Sequence, residues 1–191
     1  MSSLGLSLPV LVVLVFLVLA VLVVLTWSGN QRRRSDMLRE RFGPEYNHTV
    51  EEMGDRRKAE AELADRAKRV RSFDIHPLSS GERARFAGEW QTTQAHFVDD
   101  PSSSVREADR LVQQVMETRG YPMGTFEQRA ADISVDHPAV VSNYRSAHDL
   151  AMRNEHGQSS TEDLRQAMVY YRNLFNDLLE IPEADKQEVK R

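Results

Sequence analysis

STEDLRQAMVYYRNLFNDLLEIP, residues 160–182, reads as one amphipathic helix with both ends marked. Ser160 stands where an N-cap belongs, its hydroxyl able to accept from the first free amide groups. Leu164, Ala167, Met168, Tyr171, Phe175 and Leu178 recur at helical spacing and form a broad apolar stripe. Pro182 stops the pattern, because it brings no N–H and collides with the preceding turn. A stripe this wide needs other helices to cover it, and the preceding residues supply them.

Ser79-Ser80-Gly81-Glu82 has capping-box spacing and predicts a helix to about Phe97, with Phe86, Trp90, Thr93 and Phe97 on one face. Asp100-Pro101 predicts the next, with Val105, Ala108, Val112 and Val115 in register and Gly120 as its stop. Tyr121-Pro122-Met123-Gly124 is a turn. Thr125-Phe126-Glu127-Gln128 repeats the capping pattern ahead of Phe126, Ala130 and Ile133. Asp136-His137-Pro138 is expected to open a further helix, turning Val140, Val141, Tyr144, Ala147 and Ala151 inward until Gly157. Strand-like alternation is absent. The Tyr170-Tyr171 pair, Phe175 and Trp90 read as core. Residues 78–181 therefore read as a small antiparallel helical bundle of about a hundred residues, enough for one core. Residues 182–191 read as a disordered tail.

Residues 32–77 have a different character. Helix is expected up to Arg41, with a break at Phe42-Gly43-Pro44, since a residue before proline is biased away from helical angles. From Glu45 to Arg71 nearly every residue favours helix, and Glu52/Arg56, Glu62/Arg66 and Asp65/Arg69 stand at the favourable i,i+4 spacing. The apolar stripe is thin: Tyr46, Val50, Met53, Leu63, Ala67 and Val70. The expectation is a charged juxtamembrane helical spacer, roughly 40 Å long at 1.5 Å per residue. A weak coiled coil that pairs two copies through Glu45–Arg71 is the alternative.

Ahead of the spacer, residues 1–31 contain no charged side chain, and 10–25 is almost wholly Val, Leu and Phe. At 1.5 Å per residue, Leu6 to Trp27 reaches about 33 Å, enough for a hydrocarbon core of roughly 30 Å. No basic residue precedes the run and no A-x-A site closes it, which argues for a retained transmembrane anchor over a cleaved signal. Arg32, Arg33 and Arg34, joined by Arg39 and Arg41, predict a single pass through the inner (plasma) membrane, N-terminus out and C-terminal domain cytoplasmic. Trp27 is placed at the headgroup level, and the five arginines near anionic lipid, although a stop-transfer role alone explains them. An exported, extracytoplasmic domain is the alternative.

The fold class is thus all-α: a transmembrane helix, a charged spacer and a helical bundle. Formal charge is +3 over 32–71 and −7 over 72–191, together the −4 of the chain. The acidic distal part argues against nucleic acid as a partner, which requires a positive surface. Cysteine is absent, which excludes disulfides, thiol catalysis and the common structural zinc sites.

Two groups of residues invite a chemical reading. Glu45-Tyr46-Asn47-His48 has the Glu-x-x-His spacing of di-iron bundles, but those need a second copy and two further glutamates. Asp132, Asp136, His137 and His148, near Tyr144, form the densest polar cluster. If His137 and His148 shared a helix they would stand about 16 Å apart, too far to bind one metal. The plainer structural reading gives Asp136 and His137 to a helix N-terminus. Asn47-His48-Thr49 fits a glycosylation sequon, which has no meaning in the cytoplasm. No Gly-rich phosphate loop, H-E-x-x-H or G-x-S-x-G occurs.

Arg41-Phe42-Gly43-Pro44-Glu45-Tyr46, the stretch FEQRAADISVDHPAVVSNY (126–144) and STEDLRQAMVYYRNLFNDLL (160–179) give the chain a resemblance to a family. It resembles uncharacterised bacterial single-pass, membrane-anchored helical proteins with no established activity, over most of residues 38–180. The resemblance implies a bacterial membrane-tethered protein and brings no functional residues with it. The expected role is a non-enzymatic interaction or scaffold module that presents an acidic domain to a protein partner, with no catalytic, metal or cofactor residue assigned. The alternative is a metal-dependent or other enzyme built on Asp132, Asp136, His137 and His148.

Overall fold

The computed structural model describes residues 32–180, together with the single position Leu17. Among them, helix α1 covers 32–42, followed by α2 (Pro44–Met53), α3 (Arg56–Val70), α4 (Ser80–His96), α5 (Pro101–Thr118), α6 (Phe126–Asp136), α7 (Val141–Glu155) and α8 (Thr161–Leu178). No strand occurs among the described residues, so the chain is all-α there. No helix in this set is long and apolar enough to cross a membrane. The apolar run over 6–27, Trp27 and the 182–191 tail fall outside the described residues.

Local chemistry sets the helix starts. Ser79 and Glu82 form a reciprocal capping box at α4, and Ser160 and Asp163 do the same at α8. Asp100 accepts from the amide of Ser103 ahead of Pro101, and Thr125 accepts from that of Gln128. The side chain of Gln128 does not complete a box, because it donates instead to Asp132 at 3.0 Å.

One expected boundary is wrong. Asp136 and His137 do not open a helix: Asp136 is the last residue of α6, and His137 closes it, its amide bonding to Ile133 carbonyl at 2.8 Å. Pro138 follows, and α7 starts only at Val141, with no side-chain cap. The residue before a proline resists the helical angles an N-terminal turn needs, whereas a closing residue tolerates extended ones.

The bundle packs α8 against both α5 and α7, and α4 against α5. Its core joins Phe86 and Trp90 of α4, Val105, Ala108, Val112 and Val115 of α5, and Ala130 and Ile133 of α6 to Tyr144 and Ala147 of α7 and the α8 stripe. Trp90 stacks on Phe175 with ring centres 4.7 Å apart. Full burial of side chains this large stabilises by about 1.5–3 kcal/mol each.

The spacer is not one rod. Gly54 takes a left-handed conformation (φ 62°) and its amide closes α2 on Val50. Asp55 then caps α3 by accepting from the amides of Arg57 and Lys58 at 2.8 and 3.2 Å. A left-handed glycine followed at once by an N-cap aspartate ends one helix and starts another. α3 alone is about 22 Å long. The hairpin gathers the thin stripe into a second cluster: Tyr46, Leu63, Ala67 and Val70 with Leu38 and Phe42 of α1 and Val135 of α6. Residues 32–70 thus form a three-helix collar against the bundle. The stripe that pairing between two copies would use is largely taken up inside the chain, while Met53 remains 40% exposed.

Between collar and bundle, the segment over 71–79 crosses the end of α5, with His76 amide on Arg119 carbonyl at 3.0 Å. Gly120 lies beneath it at φ 93°, and a Cβ there would come within 2.2 Å of Asp74 carbonyl oxygen. Only glycine admits both the angle and the approach.

Candidate functional site

Asp132, Asp136, His137 and His148 are held apart by four separate sets of partners. Asp132 is buried on α6 and accepts from Arg69 Nη2 and Nε at 2.6 and 2.8 Å. Its Oδ2 is also buried and has no hydrogen-bond partner. Asp136 accepts from the Tyr121 hydroxyl at 3.1 Å. His137 Nδ1 lies 2.6 Å from Asp177 Oδ2, and its Nε2 is sealed from solvent without a partner. His148 stacks on Phe126 at 3.6 Å between ring centres. With His137 outside α7, the shared helix face expected for the two histidines does not exist.

The four side chains thus enter separate contacts and do not form one constellation. An imidazole held by a carboxylate could act as a base, but only through its other nitrogen, and that nitrogen reaches neither solvent nor a nucleophile. Among the described residues, no three His, Asp or Glu side chains converge as metal ligands would. Burial raises the phenol pKa of Tyr121, and the neighbouring Asp136 charge adds to it. Burial does the same to Tyr171, whose hydroxyl donates to Asp109 at 2.9 Å. Both stay protonated donors.

The Glu-x-x-His spacing also dissolves. Glu45 is buried at the start of α2, where it receives Arg66 at 3.0 Å and both terminal nitrogens of Arg145 at 2.7 and 2.8 Å. His48 is exposed and faces Glu52 at 3.8 Å. Of the expected i,i+4 pairs, Glu62–Arg66 forms at 2.9 Å. Arg56 turns to Glu60 at 2.8 Å, because Gly54 separates it from Glu52, and Arg69 is committed to Asp132.

Three buried carboxylates therefore organise the collar: Glu45 ties α2 to α3 and α7, Asp132 ties α6 to α3, and Glu60 ties α3 to α1 and α2. Glu60 Oε1 accepts from Ser35 Oγ at 2.7 Å, the Tyr46 hydroxyl at 2.8 Å and Arg56 Nε at 2.8 Å. Burial pushes its pKa up, but these three donors outweigh burial and hold it below the usual glutamate value. No periodic signal marks these links, since Arg69 and Asp132 are 63 residues apart and Glu45 and Arg145 are 100 apart.

The arginines expected at a membrane interface belong to α1. Arg32, Arg33 and Arg34 are exposed at the start of α1. Arg39 sits over the Tyr46 ring at 5.1 Å, and Arg41 over Phe42 at 6.0 Å. On the bundle, a groove of about 170 Å³ between α4 and α8 has an apolar floor of Phe97, Met168 and Val169, with Arg165 and Arg172 at its rim.

Comparison with protein-family models, curated proteins and solved structures finds no match to this chain.

Proposed function

We propose that this chain is a membrane-anchored, non-enzymatic interaction module that holds an acidic helical bundle at a fixed distance from the bilayer for a protein partner. Residues 6–27 form the single transmembrane pass in the inner membrane, N-terminus out, with Arg32–Arg34 keeping the folded part cytoplasmic. Trp27 lies at the headgroup level, and Arg32, Arg33, Arg34, Arg39 and Arg41 favour anionic lipid.

One observation carries the reading. The collar adjoining the anchor grips the bundle through two ion pairs, Arg145–Glu45 and Arg69–Asp132, instead of leading to it by a free linker. In the Arg145–Glu45 pair, two guanidinium nitrogens meet the two oxygens of a buried carboxylate, which fixes geometry as well as adding energy. α3, about 22 Å long, carries Arg69 near its far end, where it meets Asp132 of the bundle. Fixed presentation suits a partner met at a set height above the membrane. The separate partners of Asp132, Asp136, His137 and His148, which keep the four side chains from converging, support a role other than catalysis.

Site-specific photo-crosslinking in intact membranes tests this. Exposed bundle positions, such as Val98 at 85% exposure, are expected to give discrete adducts with another protein. The reading fails if positions around the bundle surface give none. A reporter fused to the C-terminus and active only outside the cytoplasm would reverse the topology.

A further inference from the structure

We propose that the turn joining α2 to α3 is a second contact with the bilayer, laying Met53, Arg57 and Lys58 on an anionic lipid surface beside Arg32–Arg34. The inference rests on the anchor reading above and adds residues that the sequence places far from the membrane.

The register of the collar carries it. Ser35, three residues into the described part of α1, donates to Glu60, four residues into α3, and both groups are buried. At 1.5 Å per residue, Arg32 and Lys58 each lie within about one helical turn of that contact. α1 and α3 then run on together, with Leu38 and Phe42 joining Leu63, Ala67 and Val70. The start of α3 is therefore level with the start of α1, and the Gly54-Asp55 turn is at that same end. Residues 2–31 are uncharged and the apolar run ends at Trp27, so on the anchor reading this end of the collar is the one next to the bilayer.

The chemistry of this end fits lipid headgroups. Arg32, Arg33, Arg34, Arg57 and Lys58 are exposed. None of them enters an ion pair among the described residues. Of the nearby carboxylates, Asp55 is turned onto the amides of Arg57 and Lys58, Glu52 faces His48, and Asp36 and Glu51 remain. Met53 exposes an apolar side chain among these cations. Each Arg or Lys held near an anionic surface favours contact roughly fivefold, and the effect decays within a Debye length.

The test uses the full chain in vesicles of phosphatidylcholine, with and without phosphatidylglycerol, both carrying a headgroup quencher. The protein has no cysteine, so Met53→Cys and Val98→Cys each accept one fluorophore. Val98, exposed ahead of α5 and about 27 Å along that helix from the His76–Arg119 contact, serves as the comparison position on the bundle. Strong quenching at residue 53 that requires phosphatidylglycerol and fades with salt, with none at residue 98, is the expected result. Adding Arg57→Gln and Lys58→Gln is expected to weaken the contact equilibrium about 25-fold. The melting temperature should stay unchanged, because both side chains are exposed and the Asp55 cap uses only backbone amides. Equal quenching at 53 and 98, no dependence on anionic lipid, or indifference to the double substitution each overturns the tip contact. Flotation with the vesicles separates the two readings. A chain that floats with residue 53 unquenched sinks this inference alone, and a chain that does not float sinks the anchor with it.

Discussion

In the bundle, α8 sets seven buried apolar side chains into a core shared with α4, α5 and α7, and the buried Arg119, Asp132 and His137 stand at helix ends or face the collar. In the collar, α2 and α3 place Glu45, Glu60 and Arg66 among the buried residues, beside a cluster of only seven buried hydrophobic side chains. Both regions are helical and continuous with one another, yet they cohere differently. The bundle is held by non-directional burial that tolerates small shifts. The collar is held by directional pairs, which fail when either partner is lost. An element with too little apolar surface to fold alone can be ordered by its neighbours, provided each buried charge finds an opposite one.

Trp90→Ala attacks the bundle where it is strongest, removing the ring stacked on Phe175 and leaving a cavity. Chemical denaturation of the detergent-solubilised chain should show a loss of about 3–5 kcal/mol. A loss below about 1 kcal/mol would mean that the two regions do not differ in the way described.

Glu45→Ala attacks the collar, leaving Arg145 without its carboxylate and Arg66 with Glu62 alone. The expected cost is about 3 kcal/mol, confined to one region. Hydrogen exchange should speed up across α1–α3 while α5 and α8 keep their protection. Uniform loss over both would show that collar and bundle unfold as one unit.

Acid offers the gentlest separation. The folded-state pKa of Glu60 lies below its ordinary value of 4.5. Its contribution is therefore complete above that value and disappears as pH falls through the folded-state pKa. Exposed carboxylates at the caps, Glu82, Asp100 and Asp163, are also lowered, chiefly by hydrogen bonds at their own helix ends. Each holds only one helix end, whereas Glu60 joins three helices. On titration downward from neutral pH, exchange in α1–α3 should accelerate before that in the bundle. Simultaneous loss, or the bundle leading, would break the distinction.

The same contrast explains what could be read along the chain. Trp90, Tyr171 and Phe175 announce themselves by period, and Ser79, Asp100, Thr125 and Ser160 by capping chemistry, because both signals are local. The fold-back at Gly54-Asp55 was also local, but the good helix formers on either side concealed it. His137 misled for a related reason: aspartate and proline mark helix starts in general, yet here they flank a helix end. The links Arg69–Asp132 and Glu45–Arg145 had no local trace. Asp132, Asp136, His137 and His148 show the same limit, since their nearness in sequence did not bring their side chains to one point.

Sequence alone determined the helical class, most helix limits, the bundle core and the charge-free run that ends at the arginines. All of these depend on spacing within a few residues, where backbone geometry dictates which side chains meet. Tertiary structure alone decided that the charged segment folds into a collar, which carboxylates are buried with which guanidinium groups, and that the start of α3 lies beside the start of α1. Those outcomes depend on pairs distant along the chain, and a salt bridge carries no periodic imprint of the partner it will find.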